Sequence, residues 1–287
     1  MMSAIVSPLP RIAALALVAL ACCAASAVAA ERGVVGHSVQ GRPIVATLNG
    51  DPAAPLQVLV FGSIHGNEPA GMRVTRQLLA APAPRNVALR IVPTLNPDGL
   101  AAGTRGNARG VDLNRNFPYD WQPLTGGEYS GPRGLSEPET RAAYRLIRAT
   151  EPYVTIWFHQ PFGIVDRSSG GDHQLERRFA QLIGLPFVRL KGRYPGSASR
   201  WQNHAFPRGT AFVVELPAVV SGALVRRSTR AVLRLAAEYG SPEVAPAAAT
   251  KEARTLVSPV GARRPSPAPR SSPRASSPPG DRRPARG

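Results

Sequence analysis

The stretch LQVLVFGSIHGNEPAG, residues 56–71, predicts a buried strand and a reactive turn at its end. The run from Leu56 to Gly62 is almost continuously apolar, which is typical of a strand covered on both faces of a sheet. Two potential ligands follow it, His65 and Glu68, with small residues between and around them. A soluble domain gains no stability from that arrangement, whereas a metal ion would bind both side chains.

The amino-terminal segment has the pattern of a secretory signal peptide. Residues 12–30, IAALALVALACCAASAVAA, follow Arg11 and end in Ala-x-Ala spacing, so we expect a signal peptide over 1–30 and an exported protein, periplasmic, wall-associated or extracellular. A retained anchor and lipidation at Cys22 are the alternatives. Both cysteines lie in this segment, so the mature chain would depend on its core or a bound metal rather than on disulfides.

The carboxyl-terminal segment, residues 241–287, is rich in Pro, Ser, Ala and Arg, and its composition predicts disorder. Its nine basic and three acidic residues supply +6 of the chain's net +17. Such a tail is attracted to anionic cell-wall polymers or membrane surfaces, although a solvated tail without a partner is an equal alternative. The arginines lack interleaved aromatic residues, which disfavours nucleic acid. We expect a monomer.

The intervening residues 31–240 alternate between strand and helix patterns, which predicts a single α/β domain. Its sheet would be mixed but mostly parallel, with helices on both faces. The predicted strands are Leu56–Gly62, Val87–Val92, Tyr153–Phe158 and Ala211–Leu216, and the predicted helices are Glu68–Ala80, 136–149, 172–183 and Ala223–Glu238. Ser136 and Glu139 have the spacing of a capping box at the start of the second helix.

Several polar residues follow these strands directly. In open α/β sheets the chemistry gathers beyond the carboxyl ends of the strands, so we expect His65, Asn96, Asp98 and His159 to converge there. A catalytic zinc ion has three protein ligands and an open position. Of the histidines that could complete the pair, His159 is favoured because it stands directly after an apolar strand; the others are His37, His173 and His204.

Five further motifs occur in a fixed order. They are VPTLNPDGL (92–100), TRGNARGVDLNRNFP (104–118), SEPETRA (136–142), FHQP (158–161) and VVELP (213–217). Together with HGNE, this set resembles the M14 zinc carboxypeptidases, and within them the murein peptide amidases, over about residues 33–240. The resemblance implies a zinc carboxypeptidase-like fold and one Zn²⁺ per chain, bound by His65, Glu68 and His159.

The resemblance also implies the remaining catalytic roles. Asp112 would support a zinc-bound histidine through its second ring nitrogen, and Glu215 would be the general base. The glutamate stands in an otherwise apolar strand, where a carboxylate is costly without a task or a partner. Arg105 would stabilise the developing oxyanion, with Arg109 as a nearby alternative.

The same resemblance suggests how substrate is held. Asn114 and Arg115 match the pair that binds the free carboxylate of the substrate, a group that arginine fits bidentately. Tyr194 would be the mobile loop tyrosine of the site, although it lies nearer the following glycine than the family pattern places it; an ordinary loop tyrosine is the equal alternative.

The segments HQPFGIVD (159–166) and YPGSASRW (194–201) favour a peptidoglycan peptide as substrate. The implied reaction hydrolyses the amide between γ-D-glutamate and meso-diaminopimelate, and Asp166 could meet the extra ammonium of diaminopimelate. The alternatives are an N-acyl amino acid deacylase of the aspartoacylase or succinylglutamate desuccinylase kind, a general metallocarboxypeptidase, and a non-catalytic wall-binding protein.

Overall fold

The computed structural model describes residues 30–241. Apart from Ala30 and Ser241, the expected signal peptide and the expected disordered tail lie outside the described residues. Over the described part of the chain, every helix is too short or too polar to cross a membrane.

An eight-stranded mixed sheet forms the centre of the domain. Its strands are β1 (Glu31–His37), β2 (Pro43–Asn49), β3 (Leu56–Phe61), β4 (Val87–Val92), β5 (Val154–His159), β6 (Phe162–Asp166), β7 (Phe187–Val188) and β8 (Thr210–Pro217). They lie in the order β1-β2-β4-β3-β5-β8-β6-β7. The central four, β4, β3, β5 and β8, are parallel, and antiparallel pairs attach β2 on one side and β6 on the other. The predicted mixed, mostly parallel sheet is therefore confirmed.

Helices cover both faces of the sheet, as predicted. They are α1 (Ala70–Leu79), α2 (Pro97–Ala102), α3 (Pro138–Thr150), α4 (His173–Ile183), α5 (Ala198–Ala205) and α6 (Gly222–Tyr239). Buried residues of α1, α4 and α6 share one core cluster, and those of α3 and α5 share the other.

The packing of strand β3 explains why its sequence is apolar apart from Gln57. Val58 and Val60 pack into the core with α1, α4 and α6, whereas Leu59 and Phe61 pack into the opposite core. Both faces of the strand are therefore buried, and alternation between apolar and polar residues would be unfavourable. Phe61 stacks on Trp157 of β5 with ring centroids 3.8 Å apart, which joins neighbouring strands on the second face.

Two predicted helix starts are wrong in detail. Helix α1 begins at Ala70 rather than Glu68, because Glu68 turns its carboxylate towards two histidines and Pro69 occupies the N-cap. The capping box at α3 is absent: the N-cap is Glu137, and the hydroxyl of Ser136 contacts Asn116 and Glu137 instead. In both places long-range polar contacts override the local helix signal.

Candidate active site

Three adjacent parallel strands bring the candidate site together. Strands β3, β5 and β8 are neighbours, so their carboxyl ends meet at one edge of the sheet. His65 lies in the turn after β3, and His159 is the last residue of β5, paired in register with Glu215 of β8. The edge expected from the strand pattern therefore carries three of the predicted functional side chains.

His65, Glu68 and His159 form a buried cluster that could hold a metal ion. One candidate ligand atom from each residue lies within 4.8 Å of the others. Nδ1 of His65 lies 3.0 Å from Oε1 of Glu68, and Nδ1 of His159 lies 3.0 Å from Oε2. Nδ1 of His65 is buried, and despite its closeness to Glu68 it is not aligned for a hydrogen bond with any of the described residues. Two imidazole nitrogens and a carboxylate suit zinc.

The turn that carries the first two ligands depends on a glycine. A Cβ built on Gly66 would lie 1.9 Å from the carbonyl carbon of Gly99, so no larger residue fits there without moving the backbone. This close approach packs the ligand turn against α2, and the backbone N–H of Gly66 donates to the carbonyl of Arg105 at 3.4 Å. A glycine between the two candidate ligands is thus required by the fold of the turn.

Asp112 fixes the orientation of His65. Its Oδ1 lies 2.9 Å from Nε2 of His65 and also accepts the backbone N–H of Asn114 at 2.8 Å. With Nε2 engaged by the carboxylate, Nδ1 is directed to the metal position, as in other carboxylate–histidine–metal arrangements. Burial opposes ionisation of Asp112, but the charges and hydrogen bonds of His65, together with the charge of Arg105, hold its pKa well below the usual range.

Arg105 contacts both Glu68 of the candidate metal-binding group and Asp112, which orients His65. Its Nη1 donates to Oε1 of Glu68 at 3.0 Å, and its Nε donates to Oδ2 of Asp112 at 2.9 Å. The loop that carries Arg105 is held in place by Asn96, because Nδ2 of Asn96 donates to the carbonyls of Arg105 and Gly106. A charged guanidinium is therefore held beside the candidate ligands.

Glu215 is a buried carboxylate next to the cluster. It is 7% exposed, and its Oε2 makes no hydrogen bond within the described structure. Burial, with the nearby charge of Glu68, raises the pKa of Glu215 to about 7. A carboxyl with that pKa can both accept and release a proton near neutral pH.

A cavity of about 480 Å³ opens from the metal cluster, and its lining includes Arg105, Asn114, Arg115, Asp166, Tyr194 and Glu215. Arg115 is 3% exposed, and its Nη1 donates to the carbonyl of Asn114 at 2.9 Å. The ring of Tyr194 lies 5.2 Å from the guanidinium carbon of Arg115, and its hydroxyl donates to the carbonyl of Lys191. Asn114 itself is fixed by accepting the backbone N–H of Ala198 at 2.9 Å.

Asp166, at the end of β6, contributes a carboxylate to the same cavity. Its Oδ1 accepts the backbone N–H of Leu190 at 2.8 Å. Burial raises the pKa of Asp166. A half-buried carboxylate of this kind can pair with a cationic group that enters the cavity.

Comparison with known proteins agrees with this geometry. Residues 25–161 match the family model described as zinc carboxypeptidase. Murein peptide amidase A of Escherichia coli (strain K12) is 30% identical over 194 residues, which cover 60% of this chain and 79% of that protein. The chain belongs to the M14 family of zinc carboxypeptidases. It is therefore a hydrolytic enzyme of the metallopeptidase class.

Other members of the M14 family extend the likeness. Murein peptide amidase A of Vibrio campbellii is 28% identical over 221 residues, covering 70% of this chain and 85% of that protein. The crystal structure of murein-tripeptide amidase MpaA from Escherichia coli O157 superposes with a TM-score of 0.61 at 26% identity, covering 72% of this chain and 91% of that one. The fold is thus the zinc carboxypeptidase fold predicted from the motifs.

Some expected members of the site lie elsewhere in this M14 enzyme. Asp98 accepts a hydrogen bond from the hydroxyl of Ser38 and forms an ion pair with Arg42. The prediction that Asp98 lies with His65 and His159 is therefore wrong. Arg109 faces Glu137 at 3.4 Å and does not line the cavity, which leaves Arg105 in the site. Asn96 donates hydrogen bonds to the loop that carries Arg105 and is not part of the candidate metal-binding group.

The other histidine candidates are also accounted for. His204 stacks on Tyr119 with ring centroids 3.9 Å apart, and Nε2 of His173 contacts the carbonyl of Ser168. His37 lies in β1, at the far edge of the sheet. Among the described residues, the group that could hold a metal consists of His65, Glu68 and His159, and does not include His37, His173 or His204.

Sequence reasoning missed several residues of the cavity. Gln160 donates its backbone N–H to Oε2 of Glu68 at 3.2 Å, and its side-chain oxygen accepts the N–H of Ala70, the first residue of α1. Glu128 lies 2.5 Å from Nη2 of Arg115. Gln160 adjoins a candidate ligand and could have been considered from the FHQP motif, whereas nothing in GGEY marks Glu128 as part of the site.

Proposed function

We propose that this protein hydrolyses the amide between γ-D-glutamate and meso-diaminopimelate in peptidoglycan peptides. The observation that carries the proposal is one cavity that combines a candidate metal-binding group, the Asn114–Arg115 pair, Asp166 and a carboxylate oxygen of Glu215 that has no hydrogen-bond partner among residues 30–241. Relatives named murein peptide amidase support the substrate class. The signal-peptide pattern of residues 1–30 supports action outside the cytoplasm, on the wall or on fragments released from it.

His65, Glu68 and His159 would hold one Zn²⁺, with Asp112 keeping His65 in the ligating tautomer. When bound, the ion supplies Lewis acidity for the scissile carbonyl and for the attacking water. The protein would hold these ligands rigidly. Asp112 contacts His65 and itself accepts the backbone N–H of Asn114, and the backbone N–H of Gln160 donates to Glu68.

Glu215 would move the protons. As general base, its unpaired Oε2 takes a proton from the attacking water, and it then returns a proton to the departing amine of diaminopimelate. Arg105 would stabilise the negative charge that develops on the carbonyl oxygen, since its guanidinium stays charged and is held in place by Asp112 and Glu68.

Binding would use two sets of charged groups in the cavity lining. Asn114 and Arg115 hold the carboxylate next to the scissile amide, with the ring of Tyr194 over the guanidinium. Asp166 pairs with the distal ammonium of diaminopimelate. Replacement of Asp166 by alanine should therefore raise KM for a diaminopimelate peptide; an unchanged KM would remove this residue from the substrate site.

The deciding experiment is hydrolysis of L-Ala-γ-D-Glu-meso-diaminopimelate by the purified zinc-loaded protein, measured as released diaminopimelate. Parallel reactions use peptides with ordinary carboxyl-terminal residues, for the general carboxypeptidase, and N-acetyl-aspartate, for the deacylase. Glu215→Gln and a chelator should each abolish release, with the variant still binding one equivalent of zinc. Zinc binding without turnover of the tripeptide would retain the site and reject the substrate.

A further inference from the structure

Arg115, the proposed carboxylate-binding arginine, already has a carboxylate partner within the chain. Nη2 of Arg115 lies 2.5 Å from Oε1 of Glu128. The arginine side chain is 4% exposed and the glutamate side chain 53% exposed, so the buried guanidinium is reached by an acid from the surface. Both residues line the cavity that contains the candidate metal cluster.

Glu128 has an exposed side chain on a short surface turn. It ends the short 3-10 turn Gly126–Glu128, which has no side-chain cap. Gly126 has a φ of +66°, and a Cβ on either Gly126 or Gly127 would have no neighbouring atom within 4 Å. The carbonyl of the next residue, Tyr129, accepts the backbone N–H of Asp112 at 2.7 Å, so the adjoining backbone is held. Glu128 can therefore leave Arg115 by rotation of its own exposed side chain.

We infer that Glu128 is a built-in competitor for the substrate carboxylate and so sets the affinity of the Arg115 site. This inference rests on the proposed use of Arg115 to bind a carboxylate. The guanidinium of Arg115 is already paired with Glu128. A substrate carboxylate that binds there is therefore repelled by the like charge of Glu128. Productive binding thus includes displacement of Glu128 towards solvent.

The competition also has a consequence for selectivity. A ligand that binds only through its carboxylate does not displace Glu128 from Arg115. A ligand that makes further contacts, such as an ion pair with Asp166, displaces it. Since the Arg115–Glu128 pair is open to solvent on one side, its contribution is modest. Removing the charge of Glu128 should lower KM about three-fold to ten-fold, in the range that weak ion pairs produce.

The test compares Glu128→Gln and Glu128→Ala with wild type in the full chain. Glu151→Gln is the matched control, because Glu151 is exposed and precedes β5 at the opposite end of the sheet from His159. Calorimetry measures the affinity for meso-diaminopimelate and for L-lysine, which shares the α-carboxylate but has no second one. Steady-state kinetics with the tripeptide give KM and kcat separately.

The expected result is tighter binding of both amino acids and a lower KM in the two Glu128 variants, with the control unchanged. Unchanged or weaker binding in both Glu128 variants would overturn the inference, as would failure of both amino acids to bind any of the proteins. Because binding is measured without turnover, a protein that binds these ligands but does not cleave the tripeptide refutes the proposed reaction and not the role of Glu128.

Discussion

At the scale of single residues, Asp112 links most of the polar contacts around the metal cluster. It contacts Nε2 of His65, both the Nε and Nη2 atoms of Arg105, and the backbone of Asn114. One carboxylate thus orients a candidate ligand, a candidate oxyanion donor and the loop that carries Asn114 and Arg115, the proposed substrate-binding pair. It is 1% exposed, so nothing from solvent can replace these bonds.

Replacing Asp112 by asparagine should weaken zinc binding by about 10- to 100-fold, the usual effect of losing a carboxylate behind a metal-bound histidine. The reason is that a neutral amide no longer favours the His65 tautomer with Nδ1 free. Competition with a zinc chelator of known affinity measures the change. Asp51→Asn, in the exposed loop before β3, is the control; equal affinities in the three proteins would contradict the role of Asp112.

At the scale of secondary structure, α4 follows local rules while α3 does not. The side chain of Asp172 accepts the backbone N–H groups of Gln174 and Leu175, and Gly184 ends the helix in the left-handed conformation with φ +68°. Both signals are local, and the predicted span 172–183 is confirmed within one residue. Ser136 would also be a local cap, but Asn116 competes for its hydroxyl across 20 positions of sequence.

Helix α4 also carries a buried carboxylate, Glu176, which makes a hydrogen bond with Ser168. Burial, with the charges of Asp166 and Asp172, raises the pKa of Glu176 from its ordinary 4.5 to about 7. Between these pH values the folded state binds more protons than the unfolded state. The free energy of unfolding should therefore fall as the pH rises from about 4.5 to about 7 and level off above it.

Glu176→Gln should remove this part of the pH dependence, which is on the order of 3 kcal/mol across the window. Urea unfolding of both proteins at several pH values, with chelator present throughout, measures it. The difference between variant and wild type isolates Glu176 from other titrating groups. Parallel curves for the two proteins between pH 4.5 and 7 would contradict the prediction.

At the scale of the whole molecule, the order of strands assembles the site. His65, His159 and Glu215 are far apart in the chain but follow or end strands β3, β5 and β8, which are neighbours in the sheet. Two apolar cores on the two faces hold these strands in register, and Phe61 and Trp157 contact across β3 and β5. The metal cluster thus joins two parts of the chain at the carboxyl edge.

Because such a cluster forms only in the folded chain, metal binding should stabilise it. Zinc at about 100 times its dissociation constant contributes about 2.7 kcal/mol, which corresponds to a rise in Tm of about 5–10 °C for a domain of this size. Thermal melting with zinc or with chelator measures the shift. His65→Ala should melt at a temperature that zinc does not change; an equal zinc shift in that variant would place the metal elsewhere.

How much could be predicted depended on whether a feature is local. The strand β3, the cap of α4 and the HGNE pair were readable because apolar runs, capping side chains and ligand spacing act over a few residues. The outer strands on the two sides of the sheet, β1 and β2 and then β6 and β7, were not predicted, since they are short or partly exposed and give weak patterns. Asp98 was misplaced because its position after β4 does not reveal the partner Arg42.

The sequence by itself determined the types of chemical group and the parallel α/β framework, because each motif carries its own donors and each buried strand its own apolar run. Only the tertiary structure decided that Arg105 and not Arg109 faces the metal cluster, and that Glu128 reaches Arg115 from a neighbouring loop. The physical reason is that a contact between side chains depends on how separate segments cross. That crossing is set by the packing of the whole sheet and its helices.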